Sequence, residues 1–165
     1  MGITIRKVLP EDAYDYAVCV ISCWQSAYKK IVPDDFLNNM SANKEQWVEK
    51  YKIALTDPGD CEYYCVIFEN KIIGFFIINK IDGEIWAIYL IEEFRGKGYG
   101  KEILDFAIGE FKQTEHKKIS LWVFEENIRA RRFYEKHNLY FDGTKRENDK
   151  YGKMLVQLKY VLDLK

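Results

Sequence analysis

The residues Phe94 to Leu104, FRGKGYGKEIL, place three glycines at alternate positions, Gly96, Gly98 and Gly100, among the cations Arg95, Lys97 and Lys101. They follow the apolar run IWAIYLIEE and lead into an amphipathic stretch, so the glycines join a predicted strand to a predicted helix. That layout suits an anion such as phosphate, because backbone N–H groups converge at the helix start and the helix dipole supports negative charge. Glycine matters there because a side chain would hold the anion away from the amides. The spacing excludes two common phosphate motifs. A P-loop fails because Glu102 follows Gly100-Lys101 where Ser or Thr is required, and Arg95 occupies the first glycine position. The dinucleotide fingerprint fails because Lys101 and Ile103 stand where its third glycine would fall. Taken alone, the turn is equally a basic surface loop.

A second chemistry suggested by spacing is metal binding, at Cys19 with Cys23 and at Cys61 with Cys65. The first pair lies on one face of an apolar helical stretch and the second in a strand-like stretch, without the usual CxxC knuckle. We therefore expect no metal and read the four as buried, reduced thiols.

The elements that position the glycine turn can be read from periodicity. ITIRKV alternates like a short strand, and Glu11 to Lys30 carries Tyr16, Ala17, Val20, Trp24 and Tyr28 at helical spacing. Pro33 opens a short helical turn. Ser41 is the expected N-cap of a helix through Trp47 and Tyr51 that stops at Asp57-Pro58-Gly59. Three β-rich runs follow, Glu62 to Phe68, Ile72 to Asn79 and Glu84 to Ile91, joined by turns short enough for an antiparallel meander. Beyond the glycines, Ile103, Leu104, Ala107, Ile108 and Phe111 mark a helix with one face on a sheet. Lys118 to Phe124 is a strand, and Asn127 to His137 a helix capped by Asn127 and ended at Asn138. Two strands, Tyr140 to Thr144 and Met154 to Val161, close the chain. The expected fold is α/β, a single mixed and mostly antiparallel sheet flanked by helices, in the order β-α-α-β-β-β-α-β-α-β-β. One domain spans 1–165.

Composition narrows the partners. The chain of 165 residues is 48% hydrophobic and 16% aromatic, which predicts a packed core. Its 25 Lys and Arg against 26 Asp and Glu give a net charge of −1, so no overall field draws it to nucleic acid or to an anionic membrane. The cations Arg129, Arg131, Arg132, Lys136, Lys145 and Arg146 are spread rather than gathered on one face. The longest apolar run, Ile72 to Ile78, falls short of the roughly 18 residues of a membrane span. The N-terminus has no apolar signal region, and a cytoplasmic location is expected.

One pattern does fit the turn. Arg95-x-x-Gly98-x-Gly100 resembles the Q/R-x-x-G-x-G/A motif of the GCN5-related N-acetyltransferases, the GNAT family. Glu84-Ile85-Trp86-Ala87-Ile88-Tyr89-Leu90 resembles that family's fourth strand, and Asn127-Ile128-Arg129-Ala130-Arg131-Arg132-Phe133-Tyr134-Glu135-Lys136 its N-x-x-A-x-x-F-Y-E-K segment. Asn138-Leu139 departs from the common Gly-Phe, but Asn also tolerates a left-handed turn.

The resemblance implies an acetyl-CoA-dependent N-acetyltransferase that acts on a primary amine of a small molecule or peptide by direct attack in a ternary complex. The alternative is a non-catalytic CoA-binding sensor or interaction module on the same fold. It implies that the pyrophosphate rests on Arg95, Gly96, Lys97, Gly98, Tyr99, Gly100 and Lys101, aided by Asn127 and Arg129. It also implies that the backbone of Ile88, Tyr89 and Leu90 polarises the acyl carbonyl. Tyr134 would lie near the thioester sulfur, where a proton donor helps a thiolate depart. Glu84 is the candidate base for the ammonium of the acceptor, and is equally an ordinary charged strand end. Trp24 and Tyr28, with Pro33-Asp34-Asp35-Phe36-Leu37, resemble the W-x-x-x-Y and P-[DE]-x-[FY]-L pattern of small-molecule acetyltransferases in this group. Trp24, Tyr28, Phe36, Trp86 and Trp122 would then shape the acceptor pocket, though as aromatics they suit a core as well. Whether the chain works alone or as a homodimer is open.

Overall fold

The protein is described by a computed structural model over residues 2–164. Seven strands, β1 (Thr4–Lys7), β2 (Cys61–Phe68), β3 (Lys71–Asn79), β4 (Glu84–Leu90), β5 (Lys118–Phe124), β6 (Tyr140–Asn148) and β7 (Leu155–Asp163), form one sheet. Its order is β1-β2-β3-β4-β5-β7-β6. Every neighbouring pair is antiparallel except β4 and β5, which run parallel. Five α-helices among the described residues complete the fold: α1 (Ala13–Ala27), α2 (Asp34–Ala42), α3 (Lys44–Thr56), α4 (Tyr99–Phe111) and α5 (Ile128–Lys136).

Alternation along the strands sends side chains to two layers. Tyr64, Val66 and Phe76 join Ile103, Leu104, Ala107 and Phe111 of α4 and Tyr134 of α5 in one core. Cys65 and Phe75, their immediate neighbours in the chain, pack instead with Tyr16, Ala17 and Val20 of α1 and Tyr51 of α3. β3 is therefore covered on both faces, which is why KIIGFFIIN reads as a continuous apolar run. Cys19 and Cys23 are buried thiols whose sulfurs lie 3.9 Å apart, and Cys61 and Cys65 are buried as well. No helix among the described residues is long and apolar enough to cross a membrane.

Side-chain chemistry sets the junctions. Arg6 grips both carboxylate oxygens of Asp12 at 2.7 and 3.1 Å, and Asp12 also accepts the Leu9 N–H at 2.8 Å, which fixes α1 against β1. The Arg6 guanidinium holds the Asp12 carboxyl below its ordinary pKa. Buried Asn79 accepts the N–H groups of Ile81 and Asp82 at 2.9 and 3.1 Å, and so shapes the turn that delivers Glu84.

The expected element order holds with one addition. Pro33 opens a nine-residue helix rather than a single turn. Ser41 lies inside that helix and accepts a hydrogen bond from Gln25, so it caps nothing. The next helix begins at Lys44, where the Asn43 carbonyl receives the N–H groups of Gln46 and Trp47. β6 also runs past Thr144 to Asn148, after a register shift between Phe141 and Lys145.

Candidate active site

Two registers in β4 create the cleft. Against β3, Ile77 pairs with Ala87 but Ile78 with Ile85, so Trp86 is an extra residue, a β-bulge. The bulge changes the alternation: Ile85 and Ile88, three apart, enter the α4 core, while Ala87 and Tyr89 face α1. Against β5, only Glu84–Ser120 and Ile85–Leu121 pair, and beyond them the two strands separate. Ile91 N–H bonds Ile73 O at 2.9 Å, so alternation turns the N–H groups of Ile88 and Leu90 away from β3 and into the gap.

The gap opens into a cavity of about 670 Å³ that continues to the glycine turn. Gly98 stands at the N-cap of α4 with φ of 89°, a left-handed conformation that favours glycine. The first intrahelical bond joins Glu102 N–H to Gly98 O, so Gly100 and Lys101 present amides that the helix itself does not use. Gly100 has a different reason to be glycine. A Cβ there would stand 3.1 Å from the ring of Phe133, so its absence lets α5 close on the start of α4.

Arg95 donates from Nε to Leu90 O at 3.0 Å and from Nη2 to Ser26 Oγ at 2.6 Å. It thus ties the end of β4 to α1 at the edge of the cavity. Burial, and then the nearby Arg129, hold the Arg95 guanidinium below its ordinary pKa, with weaker opposition from Cys23, Glu92 and Glu93. Two cations beside unused amides at a helix start fit a phosphate-bearing group.

α5 brings Tyr134 to the opposite wall. Asn127 accepts the Ala130 N–H at 3.2 Å and starts the helix, and Asn138 ends it with φ of 71°. Tyr134 is buried at 8% exposure, and burial pushes its phenol up in pKa, with nearby Tyr28 adding to the shift. Tyr28 and Tyr89 share a hydrogen bond between their hydroxyls and line the same cavity.

Of the residues expected to hold the cofactor, Ile88, Tyr89, Leu90, Arg95, Gly96, Gly98, Gly100, Lys101, Asn127, Arg129 and Tyr134 line this cavity. Lys97 and Tyr99 do not: Lys97 lies over the Phe94 ring, and Tyr99 packs against Phe68 and Phe94. Lys101 also pairs with Asp105 one turn along α4. Among the acceptor candidates, Tyr28, Trp86 and Trp122 line the cavity. Trp24 and Phe36 pack with Tyr151 in an aromatic cluster between α1 and α2. Glu84 lies outside the lining, where the two paired residues of β4 and β5 close the gap. Burial raises its pKa and Asp82 adds to this, while Arg146 opposes. Sequence reasoning did not single out Ser26, although it lies inside the W-x-x-x-Y stretch, nor the role of Phe133 in packing α5 on Gly100.

The sequence pattern of the acetyltransferase (GNAT) family matches residues 24–139. A spermine/spermidine N(1)-acetyltransferase of Bacillus subtilis is 30% identical over 120 residues, covering 64% of this chain and 78% of its own. YuaI, an uncharacterised N-acetyltransferase of the same species, is 27% identical over 132 residues, covering 76% and 73%. Among solved structures, PaiA N-acetyltransferase from Thermoplasma acidophilum in complex with coenzyme A superposes with a TM-score of 0.76. Its 21% identity, over 99% of this chain and 100% of that one, speaks to the fold. The family match spans well over half the sequence, and the chain belongs to the acetyltransferase (GNAT) family, acyltransferases that depend on acetyl-CoA.

Proposed function

We propose that this acetyltransferase moves the acetyl group of acetyl-CoA directly to a primary amine bound in the same cleft. One observation carries the reading: the parted β4 and β5, the glycine turn at the start of α4 and the Tyr134 phenol all open onto one cavity.

The glycine turn with Arg95 and Arg129 neutralises the pyrophosphate, and the gap between β4 and β5 takes the thioester arm. The amides of Ile88 and Leu90, turned away from β3, stabilise the oxygen that gains charge as the amine nitrogen attacks the carbonyl carbon. An alkyl ammonium, with a pKa of about 10 by analogy with lysine, must first lose a proton, and Glu84, which lies outside the cavity lining, receives it through water. As the carbon–sulfur bond breaks, Tyr134 gives its proton to sulfur, CoA leaves as the thiol, and the phenolate is restored by the second proton that the attacking nitrogen must lose to become a neutral amide. The products are the N-acetylated amine, CoA and the proton taken from the ammonium. Burial of Tyr134 suits this role, because a phenol with a raised pKa keeps its proton until a thiolate appears.

The test is a thermal melt with and without excess acetyl-CoA, with ATP and NAD as controls, followed by amine-dependent release of CoA. At one hundred times its dissociation constant, a ligand stabilises by about 2.7 kcal/mol. For a chain of this size the melting temperature then rises by roughly 5 to 10 °C. A rise with acetyl-CoA alone, and CoA release that requires an amine, is the expected outcome. No shift at saturation removes the cofactor and every role above. A shift with no turnover on any amine leaves a CoA-binding module.

A further inference from the structure

Beside the gap, the sheet face toward β6 carries Arg146, Gln157 and Lys159, which belong to no core cluster and do not line the cofactor cavity. Register places Trp122 opposite Lys159 and Phe124 opposite Gln157, and Gln157 in turn opposite Arg146. Side chains opposite one another leave the same face, so Trp122, Lys159, Gln157 and Arg146 stand together. The Arg146 guanidinium lies 4.1 Å from the centre of the Trp122 ring, and its Nε donates to Gln157 Oε1 at 2.7 Å. The ring contact and that hydrogen bond hold the guanidinium in place. Neither Arg146 nor Lys159 forms an ion pair among the described residues, whereas Lys145, directed to the other face, pairs with Glu125 at 3.0 Å. Trp86, at the β4 bulge, is 55% exposed and lines the cavity with Trp122. Glu84, the candidate base, pairs with Ser120 two residues from Trp122 on β5.

A guanidinium held over an aromatic ring, with no ion pair among the described residues, offers the forked donors that an oxyanion takes. Resting on the amine acetylation proposed above, we propose that this surface selects acceptors that carry an oxyanion, a carboxylate or a phosphate, a few bonds from the amine. Arg146 receives the oxyanion, Lys159 supports it, and the apolar part of the acceptor rests on Trp86 and Trp122. Charge complementarity favours this occupant over a polycation. A polyamine would set further positive charge directly against Arg146 and Lys159, the two cations that flank Trp122, although Glu84 with Asp82 and, toward Lys159, Asp142 lie nearby.

The experiment compares matched acceptors that differ in the anion alone. Phenylalanine is set against phenethylamine for the carboxylate, O-phosphoethanolamine against ethanolamine for the phosphate, and spermidine serves as the polycation. CoA release gives kcat/KM for each, and tryptophan fluorescence titration of the protein–CoA complex reads acceptor binding without turnover. In at least one pair the anionic member is expected to exceed its partner by roughly 10-fold or more, as a charge-assisted contact provides. Spermidine is expected to fall below it. Arg146→Gln, an exposed substitution on the edge strand, is expected to bring that ratio close to one without changing the KM for acetyl-CoA. Equal or better use of the anion-free amines overturns the inference and leaves amine acetylation standing, as does a preference that survives Arg146→Gln. Anion-selective binding without turnover upholds the surface and removes the acetylation. Absence of both binding and turnover across the set overturns the inference.

Discussion

The hydroxyl of Tyr28, at the end of α1, is hydrogen-bonded to that of Tyr89, on β4, and both line the cleft that Tyr134 enters from α5. One hydroxyl of such a pair donates to the other, so one proton remains directed elsewhere in a buried site. Removing either partner strands the other. Tyr28→Phe and Tyr89→Phe are each expected to destabilise by about 1 to 3 kcal/mol, and the double substitution by less than the sum. Urea denaturation of the three variants checks this.

Tyr134→Phe is expected to lower kcat by roughly 100-fold while acetyl-CoA affinity stays within a few-fold, because the proton is needed only as sulfur departs. Burial keeps the phenol protonated past its ordinary pKa of about 10, so an alkaline fall in rate near neutrality belongs to another group. Steady-state kinetics across pH, with CoA titration, provides the check. Equal losses of rate and affinity would instead give Tyr134 a binding role.

At Gly98, the φ of 89° combines with the proposed approach of an anion. Gly98→Ala pays mainly backbone strain, about 1 to 3 kcal/mol. Gly98→Asp adds a negative charge at the proposed pyrophosphate and is expected to abolish the thermal shift with acetyl-CoA. Circular dichroism and melting curves of both variants distinguish a damaged site from a damaged fold.

Arg95→Ala removes hydrogen bonds to Leu90 O and Ser26 Oγ as well as a cation from the cleft. Both stability and acetyl-CoA affinity are expected to fall, stability by about 1.5 to 3 kcal/mol from charged hydrogen bonds. Arg95→Lys restores the charge without the fork, so it should recover affinity more than stability in the same assays.

Glu84 gives a pH-dependent test. Its pKa is raised by burial, and then by Asp82, so the folded protein binds that proton more tightly than the unfolded chain does. Stability from this group therefore declines as pH rises from the unfolded carboxylate pKa, about 4.3, through the higher folded value, and is level above it. As the base, Glu84 works only when ionised, so activity rises over that same acidic window. Glu84→Gln is expected to lower kcat, remove that acidic limb, and flatten the stability profile. An unchanged limb assigns the base elsewhere.

Legibility followed the range of the signals. The glycine turn and the caps at Asn127 and Asn138 depend on local dihedrals and neighbouring amides, and both appear where the sequence places them. Ser41 misled because Ser is a good cap wherever a helix starts, and the break lies two residues later, at Asn43. Trp24 and Phe36 were legible as aromatics but not as members of a cluster with Tyr151, 115 or more residues further along the chain.

What the sequence by itself determined is therefore the local chemistry: the strand–glycine–helix junction, the helix carrying Tyr134 and the layered apolar pattern that folds as α/β. The tertiary structure decided what depends on register between distant strands. The bulge at Trp86 and the loss of pairing between β4 and β5 after Ile85 cannot be read from the alternation of either strand, because each reads as a regular strand alone. The same holds for Tyr28 with Tyr89 and for Arg146 on Trp122, whose separations in sequence place no constraint on their approach. These pairings place the strand–glycine–helix junction, Tyr134 and Trp122 around one cleft.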